Sequence, residues 1–532
     1  MDDPNSGNAS STVPDPGSDL EAPISFVPPG WNPPQPGADP HVGSLPLQVS
    51  PPPPLASAPL EPEAVAKDRR TWPVILGVVA LAVSLVAVIA VVRSFSAAPV
   101  TPGPASDATC GPPPPVALGP PPSWVRVLGG MSNDDFHAVA VAPDWNVIVA
   151  GQTSSGGGHF PAYRARSPVV AKLSETGDLV WARSYDSGAE LYAVAVLPDG
   201  SIIVAGRDGA YGGDFPSAPG HFAAMVAKLS PTGDVLWGKT FGGSGPETFW
   251  SVAVGPDGSI VAAGTTGSPD GDFPLPRVPE NDADMDGVVV KLNGSGELMW
   301  ARTFGGSGYD GLKSVAVAPD GRIAVAGFAN SPDGDFPTPA SKHTEALVIT
   351  LDESGNLEWG ETFGGEGYDR FDSVAFAPDG TVVAAGMSVF GEVIGSTPGI
   401  TMAMMVALDP SGEPLWEGIY GGSGDDHFTS VVAQPDGTIV AVGESGSRDG
   451  DIPMRHAGEK ADAFAITLDQ DGSILWQRAY GGSDFDSFRS AVSVPGSGIV
   501  AVGCTYSRDG DFPVAHPGHD TDAIVVCLAC GM

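Results

Sequence analysis

One unit of about sixty residues recurs seven times between Trp124 and the C-terminus, and this repetition restricts the possible folds more than any other feature. A tryptophan marks the same phase of every copy: Trp124, Trp181, Trp237, Trp300, Trp359, Trp416 and Trp476. A tight turn marks the copies independently, as Pro-Asp-Trp at 143–145, Pro-Asp-Gly from 198, 256, 319, 378 and 435, and Pro-Gly-Ser from 495. The fold must therefore be one that a tandem repeat can build.

Each copy has the pattern of four short strands and no helical period. In the copy Lys313–Phe363, the apolar runs Ser314–Ala318 and Arg322–Gly327 flank a tight turn, which predicts a hairpin of strands A and B. A longer loop leads to strand C at Leu347–Leu351, and a second turn leads to strand D at Asn356–Phe363. Four strands in a unit of this length favour an all-β, seven-bladed β-propeller over a solenoid.

The two ends of the repeat region complement each other. The last copy ends after strand C at Asp522–Leu528, whereas Ser123–Leu128 precedes the first copy and has the phase of a strand D. Pairing of these segments would close the ring and cover two strand edges. The sequence therefore predicts a propeller over residues 123–532 that is closed by its N-terminal strand.

The repeat resembles the SBBP repeat of bacterial β-propellers. The resemblance lies in Thr303–Pro337, TFGGSGYDGLKSVAVAPDGRIAVAGFANSPDGDFP, which has the Gly-Gly-Ser-Gly-x-Asp opening, the hairpin and the Asp-Phe-Pro of that repeat. Asp462–Trp476, DAFAITLDQDGSILW, is similar to its other half. The resemblance implies an extracytoplasmic propeller and no shared catalytic residues.

The first 122 residues divide into three segments of different composition. Residues 1–70 are rich in Pro, Ser, Gly and Ala, which predicts a disordered tail. Residues 71–93 contain the uncharged stretch Trp72–Val92, whose 21 residues are long enough for a transmembrane helix. Its position and length do not suit a cleaved signal peptide. Residues 94–122 are a Pro-rich linker.

The charges that flank the predicted helix indicate its orientation. Lys67, Arg69 and Arg70 precede it, whereas Arg93 alone follows it closely. Because cationic flanks stay cytoplasmic, we expect a single-pass signal-anchor protein of the cell membrane with a cytoplasmic tail and an extracytoplasmic propeller. The linker enters at the start of a strand D, so the face with the long B–C and D–A loops is expected to point away from the membrane.

The chain is strongly acidic, with a formal net charge of −38. Residues 94–532 contain 54 of the 63 acidic and 21 of the 25 basic residues, so the balance of this part is −33. Such a surface repels phosphate backbones and argues against nucleic acid as a partner. Surface proteins and glycans remain as candidate partners, and solubility of an exposed domain is the simpler explanation of the charge.

Four cysteines are an even number in a domain expected outside the cytoplasm, which favours disulfide bonds: Cys110, Cys504, Cys527 and Cys530. Three connectivities are open, and a bridge from Cys110 to Cys527 or Cys530 would secure the closure of the ring. The spacing of Cys527 and Cys530 also fits a redox or metal motif, but neither a βαβ unit nor a second ligand pair accompanies it.

Carboxylates recur at one phase of the D–A loops, just before strand A. We expect them around the mouth of the central channel, as candidate ligand-binding or ion-binding residues: Asp134, Glu247, Asp310, Asp369, Asp426 and Asp486. The second copy differs, with Ala189 at this phase and Glu190 beside it.

The B–C loops carry a second set of carboxylates as Asp-Gly-Asp pairs. The pairs are Asp270 with Asp272, Asp333 with Asp335, Asp449 with Asp451, and Asp509 with Asp511. Two carboxylates on a Gly-containing loop are ligands that calcium accepts, so calcium is the candidate cofactor. For both sets the alternative is turn architecture, because Asp accepts backbone N–H bonds in turns and the full calcium-loop motif is absent.

The sequence gives little support for catalysis. The nine His residues lie at different positions of the repeat. No G-x-S-x-G or H-E-x-x-H motif occurs, and no phosphate-binding Gly-rich loop precedes a helix. The main hypothesis is a membrane-anchored binding or interaction module at the cell surface. Two alternatives remain open: an extracellular carbohydrate-active hydrolase or lyase that uses the outer-face carboxylates, and a structural surface protein without a specific ligand.

The expected topology can be tested by adding protease to intact cells or spheroplasts. Protease should digest the propeller and leave a short fragment that keeps the N-terminal tail, because Lys67, Arg69 and Arg70 retain that tail in the cytoplasm. Immunoblots against tags at both termini measure this. Loss of the N-terminal tag together with protection of the C-terminal tag would reverse the orientation.

Overall fold

The structure is a computed structural model. It describes residues 117–119, 121–160, 166–209, 212–218, 222–273, 285–336, 343–390, 399–452, 460–496, 498–512 and 520–528. The predicted tail and transmembrane segment lie outside these ranges, as does the linker up to residue 116. Within the described ranges no helix has the length and apolarity to cross a membrane, and the anchor stays a prediction.

The described chain forms seven four-stranded antiparallel sheets, the blades of a propeller. The order within a blade is strands A, B, C and D, from the channel outwards. Blades 1 to 4 contain β3 Asp134–Val141, β4 Val147–Thr153, β5 Ser167–Leu173 and β6 Leu179–Ser184; β7 Glu190–Val196, β8 Ile202–Arg207, β9 Ala224–Leu229 and β10 Val235–Phe241; β11 Glu247–Val254, β12 Ile260–Thr266, β13 Asp286–Leu292 and β14 Leu298–Phe304; β15 Gly311–Val317, β16 Ile323–Ala329, β17 Glu345–Leu351 and β18 Leu357–Phe363.

The remaining blades include two short strands from the N-terminal side. Blades 5 to 7 contain β19 Asp369–Phe376, β20 Val382–Phe390, β21 Ile400–Leu408 and β22 Pro414–Tyr420; β23 Asp426–Ala433, β24 Ile439–Ser445, β25 Asp462–Leu468 and β26 Ile474–Tyr480, with β1 Ala117–Leu118 at the outer edge; β27 Asp486–Val494, β28 Gly498–Thr505, β29 Asp522–Leu528 and β2 Trp124–Leu128. The prediction of an all-β, seven-bladed propeller is confirmed.

The predicted closure of the ring is also confirmed. Strand β2 pairs antiparallel with β29, so that Trp124 lies opposite Cys527 and Leu128 opposite Ala523. Each inner strand contacts the inner strands of both neighbouring blades, and β27 of blade 7 contacts β3 of blade 1. Blade 7 thus takes three strands from the C-terminus and its outer strand from the N-terminal side.

Apolar packing between adjacent blades forms the core. Seven clusters of buried side chains occur, and each draws its residues from two neighbouring sheets. Strands B and C supply most of them, because both faces of these strands are covered by another sheet. No blade buries its apolar faces alone, so the stability of each blade depends on its neighbours.

The repeated tryptophans connect one blade to the next. Trp124 Nε1 donates a hydrogen bond to Glu175 O in the next C–D turn at 3.0 Å, and its ring packs on Gly177. Gly177 has a φ of +79°, and a Cβ there would approach the ring to 2.6 Å. The same contact is repeated around the ring by Gly233, Gly296, Gly355, Gly412 and Gly472. The tryptophan phase therefore marks blade-to-blade packing.

Trp476 is the exception, because the next blade has no covalent C–D turn to cover it. The N-terminal segment takes this place: β1 pairs parallel with Trp476 and Gln477 of β26. Gly119 N donates to Gln477 O at 2.8 Å, and a Cβ on Gly119 would lie 2.3 Å from the ring of Trp476. Arg478 Nη1 donates to Gly119 O at 3.2 Å. The end of the predicted linker is thus part of the ring.

The expected disulfide framework is not found among the described residues. Cys504 is a buried free thiol, and burial raises its pKa, which makes it unreactive. Cys504 lies opposite Ala523, whereas Cys527 lies opposite Val500, so four positions separate the two thiols along paired strands. That is about 13 Å at about 3.3 Å per residue, beyond the reach of a disulfide. Cys110 and Cys530 lie outside the described residues.

Removal of the closing strand should destabilise the whole ring. Deletion of residues 105–128 exposes the edge of β29 and opens the core between blades 7 and 1, so we expect aggregation or loss of a single cooperative melting transition. Size-exclusion chromatography and calorimetry measure both effects. The matched deletion of residues 105–116 keeps β1 and β2 and should melt as the wild type. A monomeric 105–128 deletion with unchanged melting would contradict the closure.

Candidate functional site in the central channel

The six carboxylates predicted at the channel mouth are buried, with exposed fractions of 0 or 1%. Asp426 is representative: it accepts hydrogen bonds from Ser445 Oγ at 2.5 Å, Ser447 Oγ at 2.6 Å and Gly422 N at 2.9 Å. We call these six residues the latch carboxylates: Asp134, Glu247, Asp310, Asp369, Asp426 and Asp486. They link the end of strand B to the D–A loop, and their role in binding a ligand or ion stays a prediction.

Two blades depart from this latch. In blade 5, Asp369 accepts a bond from Gly365 N at 2.8 Å, but Phe390 replaces the second serine. Asp369 Oδ1 is buried and has no hydrogen-bond partner in the described part of the chain. In blade 2, Ala189 occupies the latch position, and the neighbouring Glu190 forms an ion pair with Arg207 at 2.7 Å. The latch is therefore a property of most blades rather than of all seven.

The Asp-Gly-Asp pairs bind the D–A loop that enters the same blade. The first Asp accepts a bond from a serine N–H: Asp270 from Ser244, Asp333 from Ser307, Asp449 from Ser423 and Asp509 from Ser483, at 2.7–2.9 Å. The second Asp receives a glycine N–H in three blades: Asp272 from Gly242, Asp335 from Gly305 and Asp511 from Gly481. In all four pairs the second Asp also donates its backbone N–H to the carbonyl of the equivalent glycine, as Asp451 does to Gly421 O at 2.9 Å.

These hydrogen bonds occupy some of the carboxylate oxygens that a cation would need as ligands. No group of three or more His, Cys, Asp or Glu side chains within the described ranges is arranged to hold a metal ion. The pairs at 270–272, 333–335, 449–451 and 509–511 therefore have a demonstrated place in loop packing, and calcium binding by them stays a prediction.

A different set of residues lines the channel, and our sequence analysis did not identify it. Every strand A contains a β-bulge at its third or fourth residue, where the register with strand B shifts. The bulged residues are His137, Tyr192, Trp250, Lys313, Asp372, Thr429 and Arg489. We call these seven the channel ring. A bulge reorients its side chain, here away from the blade core.

The positions around the bulge are nearly constant, in contrast to the bulge itself. Phe or Leu precedes it in every blade, and Ser or Ala follows it. The serines link the blades, since Ser314 Oγ accepts a bond from Val374 N at 3.1 Å and Ser373 Oγ from Val431 N at 3.0 Å. The channel ring, however, has seven different residue types at seven equivalent positions. The repeat thus keeps its scaffold and varies the side chains in the channel.

Aromatic groups and one cation form one side of the channel ring. His137 stacks on Tyr192 at 5.6 Å between ring centroids, and Tyr192 lies 4.7 Å from Trp250. Lys313 Nζ lies 3.7 Å from the centroid of the Trp250 ring, a close cation–π contact. Burial lowers the pKa of Lys313 to about 8, although the charge of Asp372 opposes this shift. This side combines flat apolar surface with a partly desolvated ammonium group.

Hydrogen-bonded ion pairs form the other side. His427 Nε2 lies 2.7 Å from Asp372 Oδ2, and Arg370 Nε donates to the same oxygen at 2.9 Å. Burial would raise the pKa of Asp372, but His427 and Arg370 outweigh it and hold that pKa below its usual value. Asp372 is therefore ionised at neutral pH and fixed by two neighbours.

A second carboxylate completes the circle between blades 7 and 1. Asp135 Oδ2 lies 3.7 Å from Arg489 Nε and 3.5 Å from His137 Nε2. Burial opposes the charged form of His137, yet the hydrogen bond and charge of Asp135 raise its pKa. The channel-ring side chains and their direct partners thus contact one another between neighbouring blades along the channel wall.

Comparison of the seven copies with one another would have located this ring. When the latch position, such as Asp134, is counted as residue one, the third residue is always Phe or Leu and the fifth is always Ser or Ala. The fourth residue differs in every copy. Hydrophobic periodicity treats strand A as a uniform apolar run and does not show this difference. The bulge, which turns the fourth residue into the channel, has no sequence signature of its own.

Comparisons with known proteins find distant similarities. No family model matches the chain, so the SBBP resemblance receives no support there. The regulatory protein FlaEY of Caulobacter vibrioides is 26% identical over 251 residues, which are 44% of this chain and 26% of that protein. The match therefore spans about a quarter of the relative's length. Membership of a family is not shown.

Solved structures resemble the chain at low identity. BamB from Moraxella catarrhalis has 14% identity and a TM-score of 0.36, covering 74% of this chain and 85% of that one. Virginiamycin B lyase from Staphylococcus aureus has 10% identity and a TM-score of 0.39, covering 76% and 99%. These similarities say nothing about the ligand or activity of this protein.

The latch carboxylates should make stability depend on pH. Burial raises the pKa of Glu247 from 4.5 to about 7, and burial together with Asp462 raises that of Asp486 to about 6. A raised pKa in the folded state favours the protonated group, so this stabilisation is complete below about pH 4.5 and lost as the pH rises through about 7. Glu247→Gln should therefore show a smaller fall in melting temperature between pH 5 and pH 8 than the wild type.

Calorimetry at constant ionic strength measures these melting temperatures. Glu358→Gln, which removes an exposed carboxylate of β18, is the matched control and should keep the wild-type pH dependence. If the melting temperatures of Glu247→Gln and the wild type fell in parallel over this interval, the pKa of Glu247 would not be raised in the folded protein.

Proposed function

We propose that this protein is a binding module that takes its ligand into the central channel from the loop face. The supporting observation is the channel ring, in which the same structural position carries seven different residue types. A scaffold role would be served by similar residues in every blade, as it is at the flanking positions, which hold Phe or Leu on one side and Ser or Ala on the other. Diversity confined to one ring fits recognition of an asymmetric ligand.

A glycan fits the chemistry of this ring best. Trp250 and Tyr192 offer aromatic faces on which the apolar face of a pyranose ring can stack. Lys313, Asp372 and Arg489 offer donors and acceptors for sugar hydroxyls around that platform. A pocket of aromatic surface with a few fixed polar groups is typical of small-ligand sites. Display of the propeller outside the cell membrane, with the loop face outwards, belongs to the same proposal.

The alternative of a carbohydrate-active hydrolase or lyase has less support from the geometry. The Asp-Gly-Asp carboxylates are mostly exposed, and their first Asp accepts a backbone N–H bond from the D–A loop in each pair. The latch carboxylates are buried and hydrogen-bonded to Ser, Thr and Gly donors, as shown for Asp426 and Asp134. Such an environment fixes a carboxylate and keeps it from a substrate. A structural surface protein without a ligand would leave the variation of the channel ring unexplained.

A glycan array probed with the purified full-length chain in mild detergent tests the proposal. Trp250→Ala should weaken binding by about tenfold or more, because stacking and the cation–π contact both disappear. Lys313→Met should weaken binding by a smaller factor. Trp145→Gly is the matched control: Trp145 is half-exposed in a tight turn, where most other blades have Gly, and this change should leave binding intact.

Two outcomes would contradict the proposal. Equal binding by Trp250→Ala and the wild type would place the ligand elsewhere, and absence of any glycan binding would favour a structural protein. The same samples are assayed for release of reducing or unsaturated sugars. Turnover would favour the hydrolase or lyase.

A further inference from the structure

The grooves between blades on the tight-turn face contain a repeated lysine. In blades 1, 2 and 3, strand C carries a lysine directly opposite the tryptophan of strand D. Each ammonium group lies near the Asp of its own A–B turn: Lys172 with Asp144 at 2.7 Å, Lys228 with Asp199 at 3.6 Å, and Lys291 with Asp257 at 3.3 Å. The lysine side chains are nearly buried, with exposed fractions of 11%, 14% and 6%.

Blade 5 retains this arrangement without the lysine. Ala407 lies opposite Trp416, at the position that Lys291 occupies opposite Trp300. The turn aspartate is still present as Asp379, which accepts a bond from Thr381 N at 3.0 Å and has no ion pair among the described residues. Blade 5 thus keeps the carboxylate of the pair and lacks its ammonium group.

An open groove marks the place of the missing side chain. The groove between blades 5 and 6 has a volume of about 420 Å³, against about 90 Å³ for the equivalent groove between blades 3 and 4, which Lys291 enters. Its apolar walls include Val383, Ile439 and Trp416. Trp416 Nε1 donates to Gln470 O at 2.7 Å, so this wall is fixed. We call this cavity the 5–6 groove.

The chemistry of the groove matches a lysine side chain in two respects. The apolar walls suit a chain of methylene groups, and Asp379 stands at the position where three sibling blades bind an ammonium group. Asp436 of the blade 6 turn also lines the groove and accepts hydrogen bonds from Thr438 alone among the described side chains and backbone. The negative charge of the protein would attract a cation towards it.

Blades 4 and 7 each lack one part of this arrangement, whereas blade 6 keeps the turn aspartate Asp436 and has Thr467 opposite Trp476. In blade 4 the lysine is replaced by Thr350, but Asp320 is occupied by Arg322 Nε at 2.9 Å. In blade 7 the turn is Pro495-Gly496 and has no Asp. An unpaired turn carboxylate, a small residue on strand C and a large cavity coincide between blades 5 and 6.

We infer that the 5–6 groove binds a primary alkylammonium group, and that its natural source is the lysine side chain of a partner protein. This site is on the face opposite the loop face and is independent of the ligand proposed for the channel. A free diamine has the same chemistry and is the second source that the experiment distinguishes.

The test measures binding of Nα-acetyl-lysine methylamide to the full-length chain by calorimetry and NMR, with the norleucine analogue as the uncharged control probe. We expect saturable binding of the lysine probe at one site and none of the norleucine probe. Ala407→Lys should abolish binding, because the new side chain takes the place of the probe. Asp379→Asn should weaken binding by about tenfold, through loss of a charged hydrogen bond.

Lys291→Ala gives an independent gain-of-function test. It opens the groove between blades 3 and 4 beside Asp257, so the number of lysine-probe sites should rise from one to two. Addition of Asp257→Asn should remove the second site. This measurement keeps the inference testable even if Ala407→Lys fails to fold.

The inference is overturned if the wild type binds both probes equally, or if Ala407→Lys binds the lysine probe as the wild type does. Tighter binding of a tri-lysine peptide than of 1,5-diaminopentane would confirm a partner protein as the source, and the reverse order would overturn that assignment in favour of a free amine. Ala407→Lys should leave glycan binding unchanged, which separates failure of this inference from failure of the channel proposal.

Discussion

Face-to-face packing of neighbouring sheets is the constraint on which this structure depends. Every apolar cluster lies between two blades, so a blade without a neighbour would expose a whole apolar face. A ring satisfies this requirement only if it closes, and here β2 and β29 close it with residues nearly 400 positions apart in the sequence. Gly119 and β1 complete the closure, because they cover Trp476. In the other blades, a C–D turn of the next blade covers the equivalent tryptophan.

The constant residues of the repeat form the connections between blades, which leaves the channel residues free to vary. The latch carboxylates, the Asp-Gly-Asp loops and the Trp–Gly contacts all join one blade to the next or a strand to a loop. Replacement of a buried latch carboxylate would leave donors such as Ser447 Oγ without their acceptor. Replacement of Lys313 breaks none of these repeated connections, because its ammonium group contacts the variable residue Trp250. Substitution therefore costs the least stability in the channel ring, where a ligand in the channel would contact the side chains.

The sequence predicted the ring and its closure, because periodic tryptophans and turns report blade geometry directly. It did not predict the role of Gly119, since a two-residue strand has no pattern and its partner Trp476 is distant in sequence. It placed Asp310 correctly just before strand A, whereas Asp426 is the first residue of that strand, and it predicted neither in the interior. Whether a carboxylate faces solvent depends on nearby hydroxyls such as Ser331 and Ser447, which belong to the B–C loops about twenty residues later. The channel ring was missed because a bulge is set by pairing geometry.

Both proposed sites lie where the sequence departs from its repeat. Trp145 has a φ of +63°, the positive-φ conformation that glycine supplies in equivalent turns, and it is the one non-glycine residue with positive φ in the described ranges. Ala407 removes an ion pair that three other blades keep, and the channel ring changes at every position. A strained turn, a lost ion pair and a buried cation such as Lys313 each cost stability relative to the repeated residue. We interpret the costs at Lys313 and Ala407 as specialisation for the two proposed sites, which lie at these positions, whereas Trp145 belongs to neither site.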